Sequence, residues 1–185
     1  MHDLYLIHYC HPDCEPLKNI MRLPQEEAFR LAGEMAVSHP AASAFFRFSD
    51  FESYYPRRME TDGILHAAFR TRGGNPTEMH PLSFALEGSD FLDHWFDNGT
   101  VLRLALDCVP ADKISFTLGD SLGMLDRTGG FIFLTLDDLR ERIAAHPEGA
   151  VGFLRDMKQQ YRYIEAQLWD DAPCRFAQTL RTPEK

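Results

Sequence analysis

Short apolar runs of strand formers are interspersed along the chain with longer stretches that repeat at helical period. Residues 3–9, DLYLIHY, are the first strand-like run. Pro12 and Pro16 prevent its simple continuation. In LPQEEAFRLAGEMAV (23–37), Ala28, Leu31, Ala32, Met35 and Ala36 share one helical face, and Pro24 with the acids behind it suits a first turn. AFFRF (44–48) is too short to assign. Pro56 reads as the opening of a second helix that runs to about Arg72, where Gly73 and Gly74 stop it. Its expected buried face is Ile64, Leu65, Ala68 and Phe69.

The second half is richer in strands. PLSFALEG (81–88), TVLRLAL (100–106), KISFTL (113–118) and GFIFLTL (130–136) all read as β, and SDFLDHWF as a short helix capped by Ser89. Thr135 with Asp138 forms a capping-box pattern for a helix reaching Ala145. A further helix around 149–160 carries Val151, Leu154, Met157 and Tyr161 on one side. YRYIEAQLW (161–169) is a strand with alternating faces and ends the ordered pattern, leaving 176–185 as a flexible tail. Strands outnumber regular β-α alternations. The expected fold is therefore α+β: one domain over 1–185, with a mixed, largely antiparallel sheet flanked by helices.

Charge narrows the partners. The net charge of −9 argues against broad nucleic-acid or anionic-membrane binding and leaves a small-molecule ligand open. The start MHDLYLIHY has neither a basic region nor a long apolar stretch, which points to the cytoplasm, where thiols stay reduced. Cys10, Cys14, Cys108 and Cys174 thus do not read as a disulfide framework. Arg57 and Arg58, expected in a first helical turn, require an anionic partner: a neighbouring acid (Glu52, Glu60 or Asp62) or a bound phosphate.

Two segments concentrate chemistry. HYCHPDC (8–14) spaces Cys10 and Cys14 as zinc ligands are spaced, with His8 or His11 as a third. No second close pair completes the set, so the loop reads as proline-shaped and no metal is assigned. ISFTLGDSLGML (114–125) carries Gly119-Asp120-Ser121-Leu122 and satisfies G-x-S-x-G. It resembles the name-giving motif of the GDSL esterases over those four residues, which would imply Ser121 as a nucleophile. The family's D-x-x-H and Gly-x-Asn-Asp blocks are absent, and LDRTGG reads as a turn leading straight into a strand. The loop is then expected to be a hairpin, with Asp120 and Ser121 bonding their own backbone.

Two wider resemblances remain. NIMRLP, RFSDFESYYPRRMETDGIL, HPLSFALEGSDFLDHWF and ISFTLGDS together resemble a group of small uncharacterised bacterial proteins, a resemblance that implies no activity. LYLIHYC resembles the first strand of the histidine-type ADP-ribosyltransferases. That resemblance implies NAD as cofactor, His8 holding its ribose, Phe116 at the middle-strand aromatic position and Glu165 as the catalytic glutamate. Arg57 or Arg58 would then hold the pyrophosphate. Against it stands a non-enzymatic binding or interaction module, for which the acidic surface suffices.

Overall fold

A computed structural model of the chain describes residues 3–183. DLYLIHY forms strand β1 (Tyr5–Cys10), whose alternation of half-buried and buried positions defines two faces of a sheet. Six strands join it: β2 (Leu82–Leu86), β3 (Thr100–Ala105), β4 (Ile114–Leu118), β5 (Phe133–Thr135), β6 (Ile164–Leu168) and β7 (Gln178–Arg181). Their order is β5-β4-β6-β2-β1-β3-β7, and every neighbouring pair is antiparallel. Helices α1 (Gln25–Ser38), α2 (Phe51–Thr71), α3 (Asp90–Trp95), α4 (Ser121–Thr128), α5 (Leu136–Ala145) and α6 (Gly149–Tyr161) complete an α+β fold. No helix among the described residues is long and apolar enough to cross a membrane.

The two faces of the sheet have different interiors. Residues paired across neighbouring strands share a face, and successive residues alternate. The pairings Leu6 with Leu86 and Leu104, Phe84 with Ala166, and Phe116 with both Ala166 and Leu134 define an apolar face. Leu136 and Leu139 of α5 and Phe153 and Leu154 of α6 close this core. Each large apolar side chain buried there stabilises the fold by about 1.5–3 kcal/mol. The opposite face presents Ser83, Ser115, Thr117, Glu165 and Gln167 from its central strands. It lies under α2, whose Leu65 and Phe69 pack with Trp169 and Phe133.

Several local expectations change. Helix α2 starts at Phe51, directly after a 3₁₀ segment Ser43–Asp50, so Pro56 lies inside it and Arg57 and Arg58 are beyond its first turn. Its inward residues are Arg58, Thr61, Asp62, Leu65 and Phe69, while Ile64 is exposed, because charged groups of α2 turn toward the polar face of the sheet. LDRTGG is not a turn between strands: residues 121–128 form α4, which ends at Gly129 in a left-handed conformation. Finally, 176–185 is not a tail throughout. Main-chain pairing with the edge of β3 orders β7 although Gln178, Thr179 and Leu180 are exposed, and Arg181 holds Asp93 and the Gly99 carbonyl. Residues 184 and 185 of that segment lie outside the described residues. On α6, Leu154 is buried as expected, but Val151 faces solvent.

Candidate functional site

The polar face is centred on Glu165 of β6, which is only 4% exposed. Its carboxylate accepts the Ser121 backbone N–H at 2.8 Å, and the Thr117 and Ser83 hydroxyls approach its two oxygens at 3.3 Å each. A buried chain of hydrogen bonds holds this layer in register. Trp169 Nε1 donates to Ser115 Oγ at 2.8 Å, Ser115 to Gln167 Oε1 at 2.9 Å, and Gln167 Nε2 to Thr117 Oγ1 at 3.0 Å. The network fixes the orientation of Glu165 as a well-satisfied polar cluster does.

Helix α2 supplies the opposite charge. Arg58 and Asp62, one turn apart on its inner side, form a buried ion pair at 2.6 Å, and Asp62 Oδ2 meets His80 Nδ1 at 2.7 Å. Burial pushes the Glu165 carboxyl above the ordinary glutamate range. Arg58 pulls it back, Asp120 pushes it further, and the Ser121 amide favours the charged form. For Arg58, burial works against the charge, but Asp62 and then Glu165 more than restore it. Tyr54 and Tyr163 border the same layer, and burial raises both phenols. Arg47, from the 3₁₀ segment before α2, lies over the Tyr54 ring and within 3.6 Å of Asp120. Arg47 and Asp120 are about one-third exposed, which makes them the solvent edge of an otherwise buried layer.

Sequence explains the turn that brings Ser121 here. Gly119 adopts a positive φ of 84°, and the chain passes from β4 directly into α4. Asp120 caps the helix by accepting the Gly123 N–H, and a Cβ at Gly123 would lie 2.5 Å from Asp120 Oδ2. This is the strand-turn-helix setting that G-x-S-x-G requires. Ser121 Oγ is fully buried against the Glu165 carboxylate and makes no well-formed hydrogen bond among the described residues. The nearest carboxylate to its backbone belongs to Glu165, in place of the histidine that a serine nucleophile ordinarily uses.

The sequence-selected residues divide between the two faces. Ile7 pairs with Ala85 and Ala85 with Glu165, so these three share the polar face and His8 projects from the other. Phe116 is on the apolar face as well, packed in the core. His8 therefore lies apart from Glu165, and the single cleft required by the transferase-like layout does not form. His8 is a satisfied core histidine. Its Nδ1–H donates to the Ser83 carbonyl at 3.0 Å and its Nε2 accepts the Leu17 N–H at 3.1 Å. Arg58 joins Glu165, whereas Arg57 turns outward to pair with Asp126 on α4.

In HYCHPDC the Cys10 thiol donates to the Cys14 carbonyl at 3.4 Å, and all four cysteines are free. Asp62 is one of the acids expected as partner to the arginines, but nothing in the sequence pointed to His80, Asp120, Tyr163 or Arg47 as members of the layer. The available signal was the pair Arg58 and Asp62 on the same helical side as Leu65 and Phe69, since charge on a core-facing stripe needs a buried partner. Compared with protein-family models, with curated proteins and with solved structures, the chain matches none.

Proposed function

We propose that the chain is an enzyme of the acid–base type that acts on a small polar ligand at this layer, with Glu165 transferring the proton and Arg58 setting its charge. One observation carries the reading: a nearly buried carboxyl, held by the Ser121 amide with the Ser83 and Thr117 hydroxyls close by and opposed by a buried arginine, lies against a Ser121 Oγ that makes no well-formed hydrogen bond among the described residues. A fold needs no such group. Buried ion pairs are often replaced by packed apolar residues without loss of stability, and the other face of this same sheet is built that way. A carboxyl raised by burial and coupled to a specific charge is the kind of group that proton transfer employs.

The ligand would enter at the Arg47–Asp120 edge, against Tyr54. Nucleotide-dependent transfer retains Glu165 and Arg58 in this reading but loses His8, so NAD is one candidate among small polar compounds. The test is a thermal-shift panel of polar metabolites, NAD and nucleoside phosphates included. A genuine ligand raises the melting temperature of the wild type by mass action. It should bind Glu165→Gln within a few-fold, while turnover of that ligand falls by at least about a hundredfold. A panel without stabilising compounds, or turnover unaffected by Glu165→Gln, would refute the reading.

A further inference from the structure

A second cluster lies in the loop after β1, and it does not use the cysteines. His11, 5% exposed, directs Nε2 at Asp97 Oδ2 across 3.2 Å. The Asp13 N–H donates to His11 Nδ1 at 3.2 Å, which puts the ring proton on Nε2, the side of Asp97; an ion bound at Nδ1 would displace that hydrogen bond. Asp13 Oδ2 is 4.0 Å from that Nδ1 and 2.7 Å from Nε2 of His39, which caps the end of α1. One nitrogen from each histidine and one Asp13 oxygen all lie within 4.8 Å of one another. The second nitrogen of His39, Nδ1, is buried and has no hydrogen-bond partner among the described residues. Phe45 packs against both imidazoles, with ring centroids 4.7 and 5.3 Å away, and so supplies an apolar wall.

Ligand atoms around a tetrahedral ion with bonds of about 2.0–2.1 Å are separated by roughly 3.3 Å. The present separations of 2.7 and 4.0 Å fall on either side of that value. We propose that His11 Nδ1, Asp13 Oδ2 and His39 Nε2 bind one divalent transition-metal ion of the zinc type, with a fourth position open to water. Two imidazoles select such an ion over magnesium or calcium, which prefer oxygen alone. Asp97 is the supporting carboxylate. It is held there by a turn in which Asp97 and Asn98 both have a φ of 52°. Cys10 has no part in the site, because its thiol is turned to the Cys14 carbonyl.

The experiment uses the full chain, stripped with a chelator and titrated with Zn²⁺ against a chromophoric competitor. Co²⁺ is then added to read the ligand field in the visible spectrum. About one ion per chain is expected, with Co²⁺ bands of four-coordinate intensity. Asp13→Ala and His39→Ala, both near the surface, should each weaken Zn²⁺ binding by at least tenfold while the far-ultraviolet circular dichroism is unchanged. Asp97→Asn should weaken it by about ten- to a hundredfold through the His11 tautomer, and Cys10→Ser should leave it as it was. Substoichiometric binding by the wild type, or affinity insensitive to Asp13→Ala and His39→Ala, would overturn the proposal. So would an ion lost in Cys10→Ser but kept in His39→Ala.

Discussion

The backbone amide of Ser121 donates to the Glu165 carboxylate across 2.8 Å, tying the first turn of α4 to the strand β6. This bond favours the ionised carboxylate, yet burial outweighs it and the folded pKa lies above the ordinary one. The sign of the pH effect follows. Between the unfolded value of about 4.3 and the raised folded value, the folded state binds more protons, so this group's contribution to stability falls as pH rises. Glu165→Gln keeps an acceptor for the Ser121 amide but cannot titrate. Urea unfolding from about pH 4 to about pH 8 should therefore show the wild type losing stability relative to Glu165→Gln as pH rises. Parallel profiles would mean that the carboxyl is not raised.

Arg58 carries the charge that makes the layer tolerable. Arg58→Met alone should cost about 3–5 kcal/mol, because Asp62 and Glu165 then remain buried without their cation. Adding Asp62→Asn and Glu165→Gln removes the stranded charges and should recover more than half of that loss. The charge coupling of Arg58 to both acids predicts strong non-additivity. Simple addition of the separate effects in denaturant titrations would show that the groups do not act as one network.

The strands and helix caps were legible in the sequence because their signals are local. Ser89 and Thr135 cap α3 and α5, β2, β3, β4 and β6 fall within the apolar runs that mark them, and β1 overruns its own by one residue, Cys10. The polar layer was not legible for a physical reason. Ser83, Ser115, Thr117, Glu165 and Gln167 alternate with apolar neighbours just as residues on a solvent face do. Only the docking of α2 across them converts that face into an interior. The position of Pro56 misled in a similar way, since a proline suits a helix start and α2 as a whole carries little apolar periodicity. His11 and His39 are 28 positions apart, and their proximity depends on the path of α1.

Ser121 separates two chemistries. Its Oγ is buried and makes no well-formed hydrogen bond among the described residues, so Ser121→Ala should leave stability unchanged or raise it by up to about 1 kcal/mol. Under the acid–base reading a fluorophosphonate probe leaves the chain unlabelled, because among the described residues no histidine hydrogen-bonds the hydroxyl to activate it. Intact-mass spectrometry after probe treatment checks this. A covalent adduct on the wild type that disappears in Ser121→Ala would make Ser121 a nucleophile and give Glu165 the part of its base.

His8 tests the division between the two faces. Both ring nitrogens are satisfied by main-chain groups, and burial holds the imidazole below its ordinary pKa, against the pull of the Ser83 carbonyl. The folded state thus resists a proton that the unfolded chain accepts below about pH 6.5, and stability is lost as pH falls through that range. His8→Phe leaves the Ser83 carbonyl and the Leu17 amide without their partner, which should cost about 2–4 kcal/mol near neutral pH. The variant should also lose the part of the acid-side decline that His8 causes. Because His8 projects from the apolar face, ligand affinity at Glu165 measured on the folded fraction should stay within a few-fold of wild type. A selective loss of that affinity, with stability intact, would show that the two faces work as one site after all.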